Sequence, residues 1–528
     1  MKKTLITVIL MGAMLAACGK EEEVKDTPAA REREPKVEKE EPTPVEEPED
    51  PAEPAEPKPA AESDVKYIPL TLDNNYNAVY DKDEEYKIRF EGSYDEPVLN
   101  CDDYYALKYS LSELGSELKE YVDQASTDYM EYAYEDDAFE DDWSYYYYRT
   151  SDTQISRADT KAVCLCVSWE DFAGGVHPNY YYETYCFDTQ SGKKLKLEDV
   201  IDTSKQPEML ELIEKKALEE NDGLEEMLLN DLGDVLQEEA DLGQLSFNLD
   251  RKGLTFYFSP YEIAAYAAGG TVVTIGYDEI PGLIKDEYKQ LPADYFTEVG
   301  CTDYSDIRTL ADGRTVAFNM DYDDEAGQTV HVKLDGTDYS FEDYGYYSTF
   351  YLAEKNGKNY AYRETQRDND YVDVTVYDLN GKEPKEISYT GASFTDGAFN
   401  PDCMTMRSRG ELLSTYSMVN DYRIKDDGSL EAINDYYLIK SWDGEWVVTM
   451  MQDLEAEARD SFEDQMTYTM FLSKGDRMAF YATDNETYVD FMTDNGSFVR
   501  IYVDSSDYPQ QVNGIDIEEL FDGIIFAG

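Results

Sequence analysis

The stretch FAGGVHPNYYYETYCFDTQSGKKLKLEDVI, Phe172 to Ile201, holds His177, one of two histidines in 528 residues; the other is His331. Imidazole is the side chain whose unperturbed pKa suits proton transfer near neutrality, so a general base is sought at these two positions first. A nucleophilic site adds a positioned Ser or Cys and an orienting acid. Ser168 and Asp171 lie near His177 in sequence, but no nucleophile-elbow pattern surrounds them. His331 alternates with apolar residues in Val330-His331-Val332 and reads as a strand residue. With 115 acidic residues, a pair of glycosidase carboxylates carries no signal. Cys164 and Cys166 stand two apart on one apolar run and Cys186 lies on the next, with no Cys/His cluster at zinc spacing. Buried thiols are expected there, and a cross-strand bridge between Cys166 and Cys186 is geometrically open. The acid-rich run 321–325 lacks the twelve-residue calcium loop and reads as a solvated turn. The expectation is a protein with no catalytic residue, no cofactor and no metal, and therefore not an enzyme.

The elements that position these residues follow from periodicity. Ala162 to Val167 is continuously apolar and Tyr180 to Phe187 is aromatic and β-branched, so both read as strands. Between them Gly174 and Gly175 permit positive φ, Pro178 pushes His177 into extended geometry, and Asn179 tolerates a left-handed turn. The whole reads as a hairpin with a rigid tip, in which His177 shapes and hydrogen-bonds the turn, with partner contact as its second role. Leu107, Leu111, Leu114, Leu118 and Val122 recur at three and four residues, the stripe of an amphipathic helix, and a long helical region is expected over 207–236. Leu254 to Phe258 reads as a strand. Ser259-Pro260-Tyr261-Glu262 has capping-box spacing, predicting a short helix over 263–268 that stops at Gly269-Gly270 before a strand from Thr271 to Ile275.

A joint is expected at 281–292, after which short strands alternate with turns such as Asp335-Gly336 and Asn356-Gly357, a β-meander. The last 68 residues, 461–528, read as a small β-barrel of SH3 type. Two tyrosine runs, 145–148 and 180–182, suit stacking on sugars or protein contact.

The N-terminus sets the compartment. Lys2 and Lys3 precede a 13-residue apolar run and then Leu15-Ala16-Ala17-Cys18, a secretory signal too short to span a bilayer. Residues 20–64 hold 17 acidic residues, 7 basic ones and 9 prolines, with no aromatic, Ile or Leu, and so read as a disordered tether. Its reach is on the order of 100 Å. Signal and tether contribute +2 and −10 of the formal −69, leaving −61 on residues 65–528. That field repels nucleic acid and attracts basic proteins.

Three motifs in order, GGVHPN (174–179), FDTQSGKKLKLEDVI (187–201) and FYFSPYEIAAYAAGG (256–270), resemble the extracytoplasmic domain of RsiV-type anti-sigma factors. Residues 65–160, including Tyr94-Asp95-Glu96-Pro97-Val98-Leu99, resemble the companion module that precedes it there and in the deacetylase PdaC, and Leu15 to Cys18 resembles a lipobox. The resemblance implies an α/β fold of antiparallel sheet and packed helices for this first region; with the all-β half and its small terminal barrel read from the turns, the whole is expected to be α+β. The expected segments are a lipoprotein signal at 1–18, the tether at 19–64, a companion module at 65–160, an RsiV-like domain at 161–285, a β-meander at 295–460 and the barrel at 461–528. It further implies lipidation of Cys18, an extracytoplasmic membrane-anchored location, and capture of a basic protein such as lysozyme. The partner-binding residues implied are Gly174, Gly175, His177, Pro178, Asn179, Tyr180, Tyr261 and Tyr266. Wall glycan is the alternative ligand, and a structural surface role without ligand is the third reading. The chain departs from both families: a lone His177 and a lone His331 do not make the deacetylase metal site, and almost nothing precedes the signal to bind a sigma factor.

Overall fold

The computed structural model describes residues 64–80, 87–133, 146–221, 223–302, 304, 306–323, 327–395, 400–440, 446–506 and 508–526. Cys18, the tether up to residue 63, Tyr145 and the acids 324–325 lie outside the described residues. Among the described residues no helix is long and apolar enough to cross a membrane.

The first sheet runs β1 (Leu70–Tyr80), β2 (Ile88–Leu99), β3 (Tyr147–Ala158), β4 (Ala162–Phe172), β5 (Asn179–Asp188) in that order. All neighbours are antiparallel except β2 and β3, which are parallel because helix α1 (Tyr105–Ala133) lies between them in the chain. The predicted stripe is the buried face of α1: Leu107, Leu111, Leu114, Leu118 and Val122 are at most 3% exposed and join Phe90, Leu165, Val167 and Trp169. Each such side chain contributes about 2 kcal/mol of burial.

Strand β4 explains its own composition. Val163, Leu165 and Val167 face α1, whereas Ala162 and Cys164 face a second layer, so both sides are dry and polar alternation is lost. That second layer is the sheet β6 (Phe247–Leu249), β7 (Gly253–Phe258), β8 (Thr271–Gly276), with helices α2 (Gln206–Glu220) and α3 (Leu232–Leu242). The expected single helical region is divided. Gly223 turns with φ of 80°, and Asp231 starts α3 by accepting from the Asp234 amide at 3.1 Å. The helix expected over 263–268 is absent except for one 3₁₀ turn, Tyr266–Ala268. Glu262 does accept from the Ser259 amide at 2.6 Å, but Tyr261 takes φ of 69° and the Ser259 hydroxyl accepts from Tyr182 instead, so no helix is nucleated.

After β5 the chain turns at Gly192, φ 66°, with its carbonyl accepting from Ser110 Oγ at 2.8 Å. A Cβ at this position would lie 2.4 Å from the Ala106 carbonyl oxygen at the start of α1. Gly192→Ala is expected to cost about 2–3 kcal/mol, from left-handed strain plus overpacking against backbone. Thermal unfolding checks it; an unchanged Tm would mean that α1 shifts freely at its first turn.

The joint at 281–292 is fastened rather than loose. Arg157 of β3, with 3% side-chain exposure, donates from Nη1 to the Tyr288 carbonyl at 2.7 Å and from Nη2 to the Gln290 carbonyl at 2.9 Å. Its partner Asp159, 1% exposed, accepts from Arg157 Nε at 2.7 Å. Arg251 donates to the Pro292 carbonyl and lies 4.0 Å over the ring of Tyr295.

Beyond the joint the described chain is mostly strand, with a 3₁₀ turn at Asp368–Asp370 and one short helix, Ile517–Leu520. One sheet is β10 (Arg308–Thr309), β11 (Thr315–Asp323), β12 (Gly327–Leu334), β13 (Thr337–Asp343). A second orders β17 (Lys385–Thr390), β16 (Val372–Asp378), β15 (Lys358–Gln366), β14 (Ser348–Lys355), β9 (Tyr295–Val299). Asp335-Gly336 and Asn356-Gly357 make their two-residue hairpins with positive φ at both positions, as the mirror-image turn requires. A twelve-stranded sheet spans Ser393 to Asp522, with a separate two-stranded ribbon, Gln511–Val512 and Ile515–Asp516, beside it in the chain. Here the barrel expectation is corrected: the strands of 461–528 form no closed barrel. The strand Arg477–Thr483 gives one edge to Tyr488–Thr493 and the other to Tyr437–Lys440 and Val447–Met450, strands from before residue 460, so nothing is left to close. The fold is mostly β, α+β in the first half, with the expected boundaries at 160 and 460 both falling inside sheets.

Candidate functional site

The β4–β5 hairpin reaches a tip at 173–178, where Gly174 and Gly175 take φ of 87° and 108°. Val176 is 96% exposed at its apex. His177 folds back: its Nδ1 donates to the Pro178 carbonyl at 2.8 Å, which assigns the proton to that nitrogen, and its ring stacks on Tyr266 at 3.9 Å and 21°. Tyr266 Oη donates to the same carbonyl at 2.6 Å. Tyr180 meets Tyr266 edge-on at 5.7 Å and Tyr261 lies at 5.6 Å, over half exposed. The Tyr180 hydroxyl accepts from the Gly270 amide at 3.1 Å. A Cβ on Gly270 would lie 2.6 Å from the ring of Tyr182, so glycine is required where this loop crosses the strand. Residues 80 to 90 apart in sequence therefore form one aromatic platform under the hairpin tip. Of the predicted site residues, His177, Pro178, Tyr180, Tyr261 and Tyr266 are brought together; Gly174, Gly175 and Asn179 shape the turn, Gly175 with nothing near its Cβ position.

The stem beneath is set by Arg149, Tyr129 and Tyr121, which no local motif marks, together with Asp171 and Tyr181. Arg149 Nε donates to Asp171 at 3.0 Å across β3 and β4, Tyr129 Oη donates to the same carboxylate at 2.6 Å, and the guanidinium lies 3.9 Å over Tyr121. The Tyr121 and Tyr181 hydroxyls bond at 2.6 Å. Burial first, then the Asp171 carboxylate, raises the Tyr129 phenol far above its ordinary value. Asp171 is thus engaged by Arg149 and Tyr129, and His177 Nδ1 by a carbonyl, so neither orients the other. The register pair Arg149↔Asp171 was the available signal, and it depends on knowing the strand alignment.

Behind the platform, the Glu239 carboxyl of α3 is buried against that of Glu262. Burial and then the charge of Glu262 push the Glu239 carboxyl up to about 7; burial raises Glu262 as well. The native protein keeps a proton that the unfolded chain releases above about 4.5, so stability falls as pH rises from about 4.5 to about 7. Glu239→Gln is expected to flatten that slope and raise the Tm above pH 7. Tm measured against pH for both proteins checks this, and parallel curves would refute it.

His331 is not alone on its strand. Nε2 donates to Asp321 at 3.1 Å and Ser340 Oγ donates to Nδ1 at 3.0 Å, a ladder over β11, β12 and β13. The chain of groups is that of a triad, but Ser340 is exposed on an edge strand rather than set in a concavity, and the ladder is read as cross-strand pairing. Among the described residues no group of three or more His, Cys, Asp or Glu side chains is arranged to hold a metal. A second aromatic surface, also missed, lies at the β13–β14 and β15–β16 turns: Tyr344 and Tyr347 are 84% and 73% exposed, and Tyr371 Oη donates to Glu411 at 2.9 Å.

Residues 198–278, which carry α2, α3, β6 to β8 and the Tyr261 and Tyr266 side of the platform, match a family model described as DUF3298, a protein of unknown function. No curated protein matches the chain. Two solved structures are similar to it. A member of the DUF3298 family from Bacteroides fragilis shows 18% identity over 42% of this chain and 94% of its own, with a TM-score of 0.31. A DUF3298 family protein from Pseudomonas aeruginosa shows 13% identity over 42% of this chain and 97% of its own, with a TM-score of 0.28.

Proposed function

We propose that this protein is a lipid-anchored, extracytoplasmic binding protein whose RsiV-like region captures a basic, wall-directed protein, with lysozyme-type muramidases the first candidate. Cys18 is the lipid site and the acidic tether holds the folded part away from the membrane. The observation that carries the reading is the platform of His177, Tyr180, Tyr261 and Tyr266, with Val176 projecting beside it. Tyrosine supplies large contact area at low entropic cost, and two glycines and a proline hold the tip ready before contact. The charge of −61 on residues 65–528 steers a cationic partner toward it. The motif resemblance to RsiV ectodomains and the DUF3298 match point to the same region.

The test is the affinity of residues 19–528 for a c-type lysozyme at low and high salt, beside a charge-matched basic protein. Selective binding that weakens with salt is expected, and Tyr261→Ala, whose ring is exposed, is expected to weaken it about 10- to 100-fold without lowering the Tm. Binding no tighter than the control would overturn the reading. Wall glycan is the second reading, favoured by a cleft of about 1430 Å³ lined by Tyr182, Tyr257, Tyr295 and Tyr351. Stacking on a neutral sugar there would be insensitive to salt.

A further inference from the structure

The expected bridge between Cys166 and Cys186 is not what the register offers: Cys186 stands opposite Cys164, and Cys166 opposite Thr184. Two cysteines at i and i+2 share a face, so only the alignment distinguishes them. We propose that Cys164 and Cys186 are joined by a disulfide in the mature protein, a covalent tie between β4 and β5 at the base of the hairpin that carries the platform. The inference rests on the extracytoplasmic location proposed above, since a reducing cytosol would keep the thiols apart.

Three observations carry it. The first is the class of the pair. The Cys186 carbonyl accepts from Leu195 and the Asp188 amide donates to Lys193, both away from β4, whereas the Thr189 amide donates to Lys161. Cys164 and Cys186 are therefore a non-hydrogen-bonded antiparallel pair, the closer of the two types, with Cα atoms about 4.5 Å apart. That separation falls within the range a disulfide spans. The second is orientation: the two sulfurs face each other at 2.7 Å, both residues at most 3% exposed, against Leu249, Phe247 and Val200 of the second layer. The third is exclusivity. All six described cysteines stand as thiols, and the sulfur–sulfur contact among them is the one between Cys164 and Cys186. Cys166 instead lies by Tyr257, and burial pushes its thiol up to about 12, which keeps it out of exchange.

The chemistry is thiol–disulfide exchange. One thiolate attacks the disulfide of an exported oxidoreductase or a small-molecule disulfide, and the second displaces the resulting mixed disulfide. The S–S bond forms as the donor's breaks; the two electrons and two protons leave with the donor, now a dithiol if it is an oxidoreductase and two separate thiols if it is a small-molecule disulfide. Because the pair is buried once the second layer docks, the bond forms while β4 and β5 zip together, and afterwards it is shielded from reductant.

Full-length protein isolated from the outer face of producing cells would be unfolded in alkylating agent without reductant and mapped by mass spectrometry. The expected result is four of the six cysteines alkylated and a cross-link that survives Cys166→Ser but not Cys164→Ser. Reduction in denaturant and refolding without oxidant should lower the Tm by roughly 10 °C. The same chain would also be refolded in a glutathione redox buffer. Six alkylated cysteines in both preparations, or a link through Cys166, would overturn the proposed pair. A link formed on refolding but absent from the cell-derived protein would overturn the extracytoplasmic reading and, with it, the bond in the mature protein.

Discussion

Asp159→Ala is expected to destabilise the first half by about 3–5 kcal/mol, the cost of breaking a buried ion pair from one side. The carboxylate accepts from Arg157 Nε at 2.7 Å and from the Lys161 and Ala162 amides at 2.7 and 3.1 Å. Its removal leaves two backbone donors without their acceptor and a guanidinium in an apolar site, held only by the carbonyls of Tyr288 and Gln290. Both side chains are nearly excluded from water, at 3% and 1% exposure. Chemical denaturation followed by circular dichroism measures the loss. Pairing the change with Arg157→Met should recover part of it, because two apolar groups leave no charge uncompensated. A loss below about 1 kcal/mol would mean that solvent already reaches the pair.

The second large effect is expected at Trp169. It is 1% exposed, meets Tyr121 of α1 edge-on at 5.1 Å, and donates from Nε1 to Glu183 at 3.1 Å. Trp169→Ala is expected to cost about 3–5 kcal/mol through the cavity it leaves between α1 and the hairpin. It should also speed amide exchange in β4 and β5 well before global unfolding, since Tyr121 and Tyr181 lose the ring that fixes them. Trp169→Phe, which keeps an aromatic edge there, should lose less than half as much. Equal losses for the two substitutions would show that the indole N–H, rather than the ring volume, is what the site needs.

These positions divide along a physical line. The stripe of α1, the hairpin turn with His177 and the Asn-Gly and Asp-Gly hairpins were legible because each is a local rule of spacing or backbone conformation. What escaped depends on alignment between strands. The continuous apolar run of β4 announced burial on both faces but not what covers them, and the pairing of Cys186 turned on a shift of two residues. The Arg149–Asp171 bond and the His331 ladder joined residues that only register makes neighbours. The helix expected over 263–268 failed for a different reason: its capping residues were present, but Tyr182 claimed the Ser259 hydroxyl. The barrel failed because strands from outside the segment took the free edge of Arg477–Thr483.

The Arg157 fastening has a consequence for the path of the chain. Moving the exit segment away from β3 would draw a guanidinium out from under the Tyr288 and Gln290 carbonyls, so the chain leaves the first half by a fixed path at residues 288–290.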